Sequence, residues 1–328
     1  MRCAVTSPSK RRVLFTGGGG AAAEALYHLQ RDRYDVHLAD ADPGAKPAGV
    51  PADVWHPVPR ADAPDFVDAM RALCAELQID VLVPGVDEEL ARLSGAREQL
   101  PCDVLLPTTR FIELHLDKLS SAQHLRRYGF AAPLTDGLDD RRSAIGFPCI
   151  VKPRQGRGSR NVAQVRSEAE LQAHLTLSRR PASDFIVQEY AEGQEYTVTM
   201  VATRTAELRA VVPVRVDIKR GITLRGETEH DAAVIAACVG IHAADPVPGC
   251  FNIQLIKTAD NDIRVFEINP RISTTTCLAL AAGIDFVGLY LGTAPSTVDV
   301  STGLSPFANG LRLKRSWVNE FFPGARDA

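Results

Sequence analysis

One stretch of the sequence, residues 251–271, constrains fold and function more than any other. Two runs in which apolar and polar residues alternate flank a short link rich in Asn and Asp, and this pattern predicts a β-hairpin. On the second strand Glu267 and Asn269 are two residues apart, so their side chains leave the same face of the sheet. Pro270 ends the strand directly after them. A carboxylate and an amide oxygen are therefore predicted to lie side by side.

A metal site is one interpretation of this hairpin. Gln254 on the partner strand is near enough in register to add a third oxygen, and Arg271 adds a cation at the end of the second strand. Mg²⁺ prefers a few protein oxygens together with phosphate oxygens and water, so this set suits a Mg²⁺ ion that carries phosphate. The other interpretation is an ordinary hairpin whose polar residues face water, and the stretch alone does not decide between the two.

The bulk composition is that of a soluble globular protein. The chain has 328 residues, enough for two or three domains, with 45% hydrophobic residues, 23% charged residues and a net charge of -3. No long basic block predicts binding to nucleic acid or to an anionic membrane surface. No apolar run is long enough to cross a bilayer. Nucleic acid and membranes are therefore not expected as partners.

The cysteines and the N-terminal segment indicate a cytoplasmic protein. Seven cysteines are scattered along the chain without a Cys-x-x-Cys spacing, which predicts reduced, mostly buried thiols, not disulfides or a zinc site. Residues 1–12 are basic but contain no apolar core, so we expect a flexible tail, not a signal peptide.

Residues 13–112 predict a parallel sheet wound with helices. Short apolar strands at 13–15, 34–39, 53–58, 80–84 and 104–107 alternate with helical segments, including 21–30 and 64–78. Four glycines, Gly17 to Gly20, follow the first strand, and Asp40 follows the second. This arrangement fits a dinucleotide site, with the acid on a ribose, but any tight turn between a strand and a helix also favours glycine.

Two acids follow the fourth predicted strand of this domain. Asp87 and Glu88 are placed at the carboxyl edge of the sheet, where ligands bind in such folds. They equally fit the first turn of a helix, where the helix dipole favours negative charge.

Two lysines and a second glycine loop characterise residues 113–190. Lys118 is expected in the first turn of a helix, where a cation is disfavoured unless an anion is nearby. An apolar strand then leads to Lys152, and a loop with Gly156, Gly158 and Ser159 follows. Glycines allow the backbone to approach phosphate closely, and lysine supplies charge. A surface hairpin with solvated arginines is the alternative.

The segments after residue 185 contain further candidate residues. A strand runs to Glu189, Gly193 marks a break that suits a hinge or a simple turn, and Glu195 follows. In residues 212–228 a strand is predicted to lead into a loop with Lys219, Arg220 and Arg225. This loop is expected either to contact phosphate or an anionic substrate, or to be a solvated charged loop. A helix is predicted at 231–239, with His242 beyond it. A single histidine of this kind is more often a surface or core residue than a catalytic base. Residues 310–317 predict a last edge strand.

Together these motifs resemble the ATP-grasp superfamily, and within it the synthetase units of the carbamoyl phosphate synthetase large chain. The resemblance covers about residues 117–284. Six motifs occur in the order of the family: Asp117-Lys118, Pro148 to Pro153, the Gly156/Gly158 loop, Gln188-Glu189 with Gly193-x-Glu195, Asn252-x-Gln254, and Glu267-x-Asn-Pro-Arg271. Any one of them would be weak, but six in order form a specific signal.

The resemblance implies a fold of mixed α/β and α+β class, namely a pre-ATP-grasp Rossmann-like domain followed by a two-lobed ATP-grasp fold. The expected division is a tail at 1–12, the pre-ATP-grasp domain at 13–112, an N-lobe at 113–190 and a C-lobe at 191–328. ATP lies between the two lobes in this family, so the resemblance makes Gly17 to Gly20 structural or part of the substrate-facing edge.

The resemblance also implies roles for individual residues. Mg²⁺ would be held by Gln254, Glu267 and Asn269, and Arg271 would stabilise the transferred phosphoryl group together with Lys152. Weak candidates for the substrate side are Asp87, Glu88, Arg225, Ser273 and Thr274. The residues implied for ATP are Lys118, Lys152, Gln155, Gly156, Gly158, Ser159, Glu189, Tyr190, Ala191, Glu195, Lys219, Gln254 and Glu267.

The implied chemistry is a carboxylate–amine ligation in two steps. ATP activates a carboxylate as an acyl phosphate, with two Mg²⁺ ions or Mn²⁺ in their place, and an amine or similar nucleophile then displaces phosphate. The expected partners are small-molecule carboxylate and amine substrates, and a homodimer is compatible with this function. The chain has one synthetase unit and no allosteric or oligomerisation domain, so bicarbonate activation and ammonia channelling are not implied.

Two alternatives of other classes are carried forward. If Gly17 to Gly20 and Asp40 bind NAD(P), the protein is an oxidoreductase or a redox sensor. If the ATP site has no chemistry, the protein is a non-catalytic ATP-binding module. The identity of the carboxylate and of the nucleophile does not follow from the sequence.

Overall fold

Three β-sheets of different character form the framework of the protein. The structure is a computed structural model, and it describes residues 10–139, 145–294, 298–299, 302–319 and 321. Residues 1–9 of the predicted tail, with Cys3, lie outside the described residues. The other six cysteines are free thiols, and all of them except Cys102 are buried, as the scattered pattern predicts.

The first sheet is parallel and has helices on both faces. Its elements are β1 (Arg12–Thr16), α1 (Ala23–Gln30), β2 (Asp35–Asp40), β3 (Trp55–Pro57), α2 (Phe66–Glu76), β4 (Val81–Val83), α3 (Asp87–Gly95), β5 (Asp103–Val104) and α4 (Thr109–Leu116). The strand order is β3-β2-β1-β4-β5, with every pairing parallel. The five strands and the two helices predicted from the sequence are all present, so the predicted α/β class is confirmed for this part of the chain.

A smaller antiparallel sheet follows. Its elements are α5 (Lys118–Arg127), β6 (Thr135–Gly137), β7 (Cys149–Pro153), β8 (Ala163–Val165), α6 (Glu168–Ser178) and β9 (Phe185–Glu189), with strand order β6-β9-β7-β8. The sheet and α6 enclose a core of their own, which includes Val151, Leu171 and Phe185. Tyr128 is 48% exposed because it caps α5 at its end.

The third sheet has six antiparallel strands. Its elements are β10 (Gln194–Ala202), β11 (Leu208–Arg220), β12 (Ile222–Thr228), α7 (Ala232–Ala244), β13 (Gly249–Lys257), β14 (Ile263–Asn269), α8 (Thr276–Ala281), α9 (Phe286–Leu291) and β15 (Arg312–Lys314). The strand order is β14-β13-β10-β11-β12-β15. β15 is an edge strand, as predicted for the end of the chain, and none of the described helices is long and apolar enough to cross a membrane.

Two sequence predictions for this sheet were wrong. Lys219, Arg220 and Arg225 do not lie in a loop, because β11 and β12 form a tight hairpin that turns at Gly221, where φ is +72°. His242 lies inside α7, not beyond it. It is buried, and its ring bonds to the carbonyl of Val247 at 3.0 Å, which is the satisfied core histidine that was one of the two expectations.

The first and third sheets share a hydrophobic core. Along β1, Val13 and Phe15 face this shared core, whereas Leu14 faces the opposite core under α2, as the two-residue period of a strand requires. Val212 and Phe286 of the C-terminal part pack into the same core. Because interiors pack densely and transmit displacement, the parallel sheet has a fixed position beside the six-stranded sheet.

The predicted division into domains is not decided by the sheets alone. All strands of a given sheet fall within one predicted domain range, except that β1 begins at Arg12, one residue before the range 13–112. The predicted boundary between residues 112 and 113, however, lies inside α4. The division therefore remains a proposal, with the boundary better placed near the turn at Asp117, where α4 ends and α5 begins.

Candidate active site

A cleft of about 990 Å³ lies where the three sheets meet. Its walls include the carboxyl ends of β1 and β2, the loop between β7 and β8, the end of β9, and the hairpins β11-β12 and β13-β14. The volume is at the upper end of the range for small-molecule sites, about 300–1,000 Å³, so more than one ligand can be accommodated.

The β13-β14 hairpin presents the predicted oxygen ligands to this cleft. In the observed register Gln254 lies directly opposite Glu267, and Asn252 lies opposite Asn269. The last strand residue is Asn269, in agreement with the expected stop at Pro270. After Gln254 and Glu267 the register shifts by one residue, because Phe266 of β14 is left unpaired in a β-bulge. The three oxygen-bearing side chains therefore line one wall of the cleft.

A buried asparagine orients the end of this hairpin. Asn252 is fully buried, and its Nδ2 donates to the carbonyl of Arg271 at 3.0 Å. Its Oδ1 accepts from Nδ2 of Asn269 at 3.3 Å, which directs the Oδ1 atom of Asn269 away from Asn252. Asn252 belongs to a motif of the sequence but had no predicted role, because its partners lie across the hairpin.

Two of the predicted phosphate-binding lysines already have anionic partners. Nζ of Lys118 lies 3.3 Å from Oε1 of Glu267 and donates to the carbonyl of Gly156 at 2.7 Å. Nζ of Lys219 pairs with Glu195 and donates to Oε1 of Gln254 at 3.1 Å. The cations assigned to phosphate thus also neutralise the acids assigned to metal and ribose.

The third lysine is buried and lacks a carboxylate within ion-pair distance among the described residues. Lys152 is 4% exposed, and its Nζ donates to the carbonyl of Phe266 at 3.2 Å and lies 5.3 Å from the centre of the Phe266 ring. Burial lowers the pKa of Lys152 to about 8, although the charge of Glu267 opposes this shift. A buried cation without a close anion is an expected partner for a phosphate group.

Glu267 sits in a field of positive charge. Burial by itself raises the pKa of this carboxyl, but Lys118, Lys152 and Lys219 outweigh burial and lower the pKa below its usual value. The carboxylate is therefore ionised at neutral pH, which is the state that binds a metal ion.

The glycine loop between β7 and β8 covers one side of the cleft. Gly156 and Gly158 have φ angles of +120° and +70°, which favour glycine. A Cβ on Gly221, in the β11-β12 turn, would lie 3.1 Å from the carbonyl oxygen of Gly158, so the loop rests against that turn. Arg157, which had no assigned role, pairs with Glu88 at 3.1 Å and ties the loop to α3.

The residues assigned to adenine and ribose lie where β9 passes into β10. Glu189, Tyr190, Ala191 and Glu195 all line the cleft. The Glu189 carboxylate accepts a hydrogen bond from the backbone N–H of Leu134 at 3.2 Å. At Gly193, between the strands, a Cβ would lie 2.3 Å from the carbonyl oxygen of Lys257, so the chain passes too close to β13 for any side chain.

The candidates for the substrate side are only partly brought together. Glu88, Ser273 and Thr274 line the cleft, and Asp87 reaches it through an ion pair with Arg271. Both acids lie in the first turn of α3, as the helix-dipole interpretation expects. Arg225 is exposed on β12, paired in register with Lys314, and is not among the described residues that line the cleft. Gln155 is exposed and also lies outside this set.

The first glycine loop does not have the form of a dinucleotide site. The N–H groups of Gly18 and Gly20 donate to backbone carbonyls at 2.9 Å, and the N–H of Gly19 donates to Asp40 at 2.9 Å. A Cβ on Gly19 would lie 2.4 Å from Cβ of Ala45, so protein packs where a pyrophosphate would approach. A phosphate needs free N–H groups at such a turn, so this loop is better explained as a tight turn that positions the cleft edge.

One buried acid at this edge was missed by sequence analysis. Glu89 is 4% exposed and lines the cleft, and its Oε1 accepts from the hydroxyl of Thr16 and from the backbone N–H groups of Gly85 and Val86. The available signal was a third acid after Asp87 and Glu88, but which of three consecutive acids points inward depends on how α3 packs.

Family models match nearly all of the chain between residues 13 and 315. The model described as PylC-like, N-terminal domain, matches residues 13–104, and the model of the D-ala D-ala ligase C-terminus matches residues 120–222. The model described as ATP-grasp in the biosynthetic pathway with Ter operon matches residues 181–315.

A similar curated protein is the formate-dependent phosphoribosylglycinamide formyltransferase of Xanthomonas euvesicatoria pv. vesicatoria (strain 85-10). It is 30% identical over 215 residues, which are 61% of this chain and 51% of the relative. The chain thus spans about half the length of the curated relatives it matches.

Solved structures share the fold at low sequence identity. An N5-carboxyaminoimidazole ribonucleotide synthetase in complex with ADP has a TM-score of 0.70 and 14% identity, with 88% of this chain and 78% of that chain covered. An L-amino acid ligase from Bacillus licheniformis has a TM-score of 0.66 and 16% identity, with 85% of this chain and 73% of that chain covered. These findings confirm the predicted fold and are compatible with the narrower likeness to carbamoyl phosphate synthetase. Over residues 181–315 the chain matches an ATP-grasp family.

Proposed function

We propose that the protein is an ATP-dependent ligase that activates a carboxylate as an acyl phosphate and transfers the acyl group to an amine. One observation carries the proposal. The oxygens of Gln254, Glu267 and Asn269 line the same cleft as Lys118, Lys152, Lys219 and Arg271. Phosphoryl transfer depends on positioning and on positive charge around the phosphoryl oxygens, and this cleft supplies both.

The donor set fits Mg²⁺. It contains one carboxylate and two amide oxygens, and no group of three or more His, Cys, Asp or Glu side chains suited to a metal occurs in the described residues. Such a set is too sparse for an all-protein cage but suits Mg²⁺, which retains water and binds phosphate oxygens. Bound Mg²⁺ would neutralise charge on the phosphates of ATP. The number of ions, and whether Mn²⁺ replaces Mg²⁺, belong to the same proposal.

The residues divide the work of binding ATP and of the first step. Glu189, Tyr190 and Ala191 would hold the adenine, and Glu195 the ribose. Lys118, Lys152 and Lys219, with the loop at Gly156, Gly158 and Ser159, would hold the phosphates. A carboxylate oxygen of the substrate attacks the γ-phosphorus, and the bond to the leaving ADP oxygen breaks. Arg271 would stabilise the charge of the transferred phosphoryl group.

In the second step the nitrogen of an amine attacks the acyl carbon, and phosphate leaves with the electron pair of the broken C–O bond. The names of two similar proteins, a formyltransferase dependent on formate and an L-amino acid ligase, support a ligation of this kind. Small-molecule carboxylates and amines are accordingly the proposed partners.

Release of ADP in the presence of substrate pairs tests the proposal. The protein is incubated with MgATP and pairs drawn from formate, acetate, bicarbonate and L-amino acids on one side and simple amines on the other, and products are identified by mass spectrometry. We expect ADP and phosphate to appear only when a suitable carboxylate is present. Thermal stabilisation by MgATP without ADP release for any pair would favour the non-catalytic ATP-binding module.

The dinucleotide alternative is tested by thermal unfolding in the same experiment. We expect MgATP to stabilise the protein and NAD(P)H to have no effect, because the N–H groups of the first glycine loop are already bonded. Stabilisation by NAD(P)H alone would contradict the ligase proposal.

A further inference from the structure

The topological switch point of the parallel sheet, where the direction of strand winding reverses, borders the cleft. In the order β3-β2-β1-β4-β5 the chain winds outward from β1 in one direction and from β4 in the other, so the switch lies between β1 and β4. In open α/β sheets, ligands bind outside the carboxyl ends of the strands at this point. The first glycine loop, at the end of β1, has no free N–H groups at Gly18, Gly19 and Gly20 to offer, so the switch point needs another explanation.

A buried carboxylate spans the switch point. The Thr16 hydroxyl, at the end of β1, donates to Oε1 of Glu89, on the helix that follows β4. The N–H groups of Gly85 and Val86 donate to the same oxygen at 3.0 and 2.9 Å. Glu89 is only 4% exposed and lines the cleft. Its Oε2 atom has no hydrogen-bond partner among the described residues. One oxygen is fixed by the fold, and the other is left for a ligand.

The cleft wall around Glu89 carries net negative charge. The charged residues that line the cleft from the parallel-sheet part are Asp40, Asp42, Arg60, Asp62, Glu88 and Glu89. Five of these six are acids, so this end attracts a cation and repels an anion such as a phosphate. The opposite end, with the three lysines, has the reverse preference, and the charge of Arg271 beside α3 is balanced by Asp87.

Charge around Glu89 also suits proton transfer. Burial raises the pKa of this carboxyl to about 7, and the hydrogen bonds from Thr16, Val86 and Gly85 limit the rise while the charge of Asp40 adds to it. The neighbouring acids on α3 are both paired, Asp87 with Arg271 and Glu88 with Arg157. A base whose pKa is near the working pH is the most effective.

We propose that the switch point is the acceptor site, and that Glu89 binds the ammonium group of a primary amine without a phosphate group and takes a proton from it. The inference rests on the proposed ligase function and names its second substrate by class. The ammonium passes one proton to Oε2, and the free amine attacks the acyl carbon. The C–N bond forms, the C–O bond to phosphate breaks, and the phosphate leaves as hydrogen phosphate with the second nitrogen proton. Glu89 then releases its proton to solvent.

The first assay tests the function that the inference rests on. Wild-type protein receives MgATP, one carboxylate from the panel of formate, acetate, bicarbonate and L-amino acids, and hydroxylamine. Hydroxylamine is unprotonated near neutral pH and traps acyl phosphates without a base. Hydroxamate and ADP are the expected products. Absence of both with every carboxylate would overturn the proposed function, and the inference with it.

The second assay tests Glu89 alone. Glu89→Gln keeps an oxygen for the N–H groups of Gly85 and Val86 but cannot take a proton, and Glu98→Gln changes an exposed acid just after α3 as a control. With glycinamide, ethanolamine or L-alanine we expect kcat/KM for the amine to fall by about 10²- to 10⁴-fold in Glu89→Gln. The fall with hydroxylamine should be at least tenfold smaller, and the rise in rate with pH near neutrality should disappear.

Two results would overturn the inference while the ligase function stands. One is an equal fall with amines and with hydroxylamine, since a merely structural role of Glu89 would affect both. The other is a higher kcat/KM of wild-type protein for phosphoethanolamine than for ethanolamine, which the acidic wall around Glu89 does not allow.

Discussion

The guanidinium of Arg271 forms an ion pair with the carboxylate of Asp87, which lies 184 residues earlier in the chain. The side chains of both are nearly buried, at 13% and 12% exposed. The next residue, Glu88, holds Arg157 of the glycine loop. The first turn of α3 therefore holds the arginine assigned to the phosphoryl group and the loop assigned to the phosphates, and it links the parallel sheet to the ATP side of the cleft.

We expect Asp87→Asn to reduce kcat by about 10- to 100-fold with a smaller change in KM for ATP, because Arg271 loses the group that orients it. The unfolding free energy should fall by about 1–3 kcal/mol, since a nearly buried cation loses its partner. Steady-state kinetics and denaturant unfolding measure the two effects. Glu88→Gln is the matched control: its pair is 39% and 57% exposed, so the loss of stability should not exceed about 1 kcal/mol. Equal effects of the two variants would contradict the positioning role of Asp87.

Local patterns in the sequence predicted the local parts of the site. The two-residue spacing of Glu267 and Asn269 and the stop at Pro270 were enough to place them on one face, and the register confirms Gln254 opposite Glu267. Alternation and glycine turns likewise predicted the parallel sheet. These features depend on neighbours in sequence or on one hairpin, so they leave a periodic signal.

Contacts between distant segments left no such signal. The pairs Arg271–Asp87 and Thr16–Glu89 join residues 184 and 73 positions apart, and they form only when the parallel sheet packs against the six-stranded sheet. The wrong prediction at Lys219 has a similar cause. Charged residues there indicated a loop, but the strand continues because Lys219 finds partners on two neighbouring strands, Glu195 on β10 and Gln254 on β13.

Removal of the central acid of the hairpin should abolish turnover. Glu267→Ala, and the isosteric Glu267→Gln, should lower carboxylate-dependent ADP formation by at least about 10²-fold, because the site loses its one anionic metal ligand and leaves three lysines without their shared counter-charge. Asp262→Asn, in the turn of the same hairpin, is the control and should leave turnover unchanged. ADP release is measured at saturating MgATP, with thermal unfolding to verify the fold. Unchanged turnover in Glu267→Gln would refute the metal assignment.

The buried ammonium of Lys152 should lower the free energy of unfolding measured without MgATP. Its ammonium is buried with a backbone carbonyl and an aromatic ring as its partners, so Lys152→Met should raise the unfolding free energy of the ligand-free protein by about 1–3 kcal/mol. ATP affinity should fall at least tenfold, because a phosphate loses its buried cation. Thermal unfolding with and without MgATP measures both. Lys314→Met, on the exposed edge strand β15, should change neither. A variant that is less stable without ligand would show that Lys152 is instead satisfied by the fold.

Glu89 should make stability depend on pH in a direction unusual for a carboxyl group. Its pKa is about 7 in the folded protein against about 4.3 in an unfolded chain, so between these values the folded state holds more protons and is destabilised as pH rises. Glu89→Gln removes this dependence. Its unfolding free energy relative to wild type should therefore increase by roughly 2.5 kcal/mol from pH 5 to pH 8. Urea unfolding at the two pH values measures the difference, with Glu98→Gln as the control that should show none. A difference that stays constant with pH would mean that the Glu89 carboxyl is ionised throughout, and the acceptor-site proposal would lose its base.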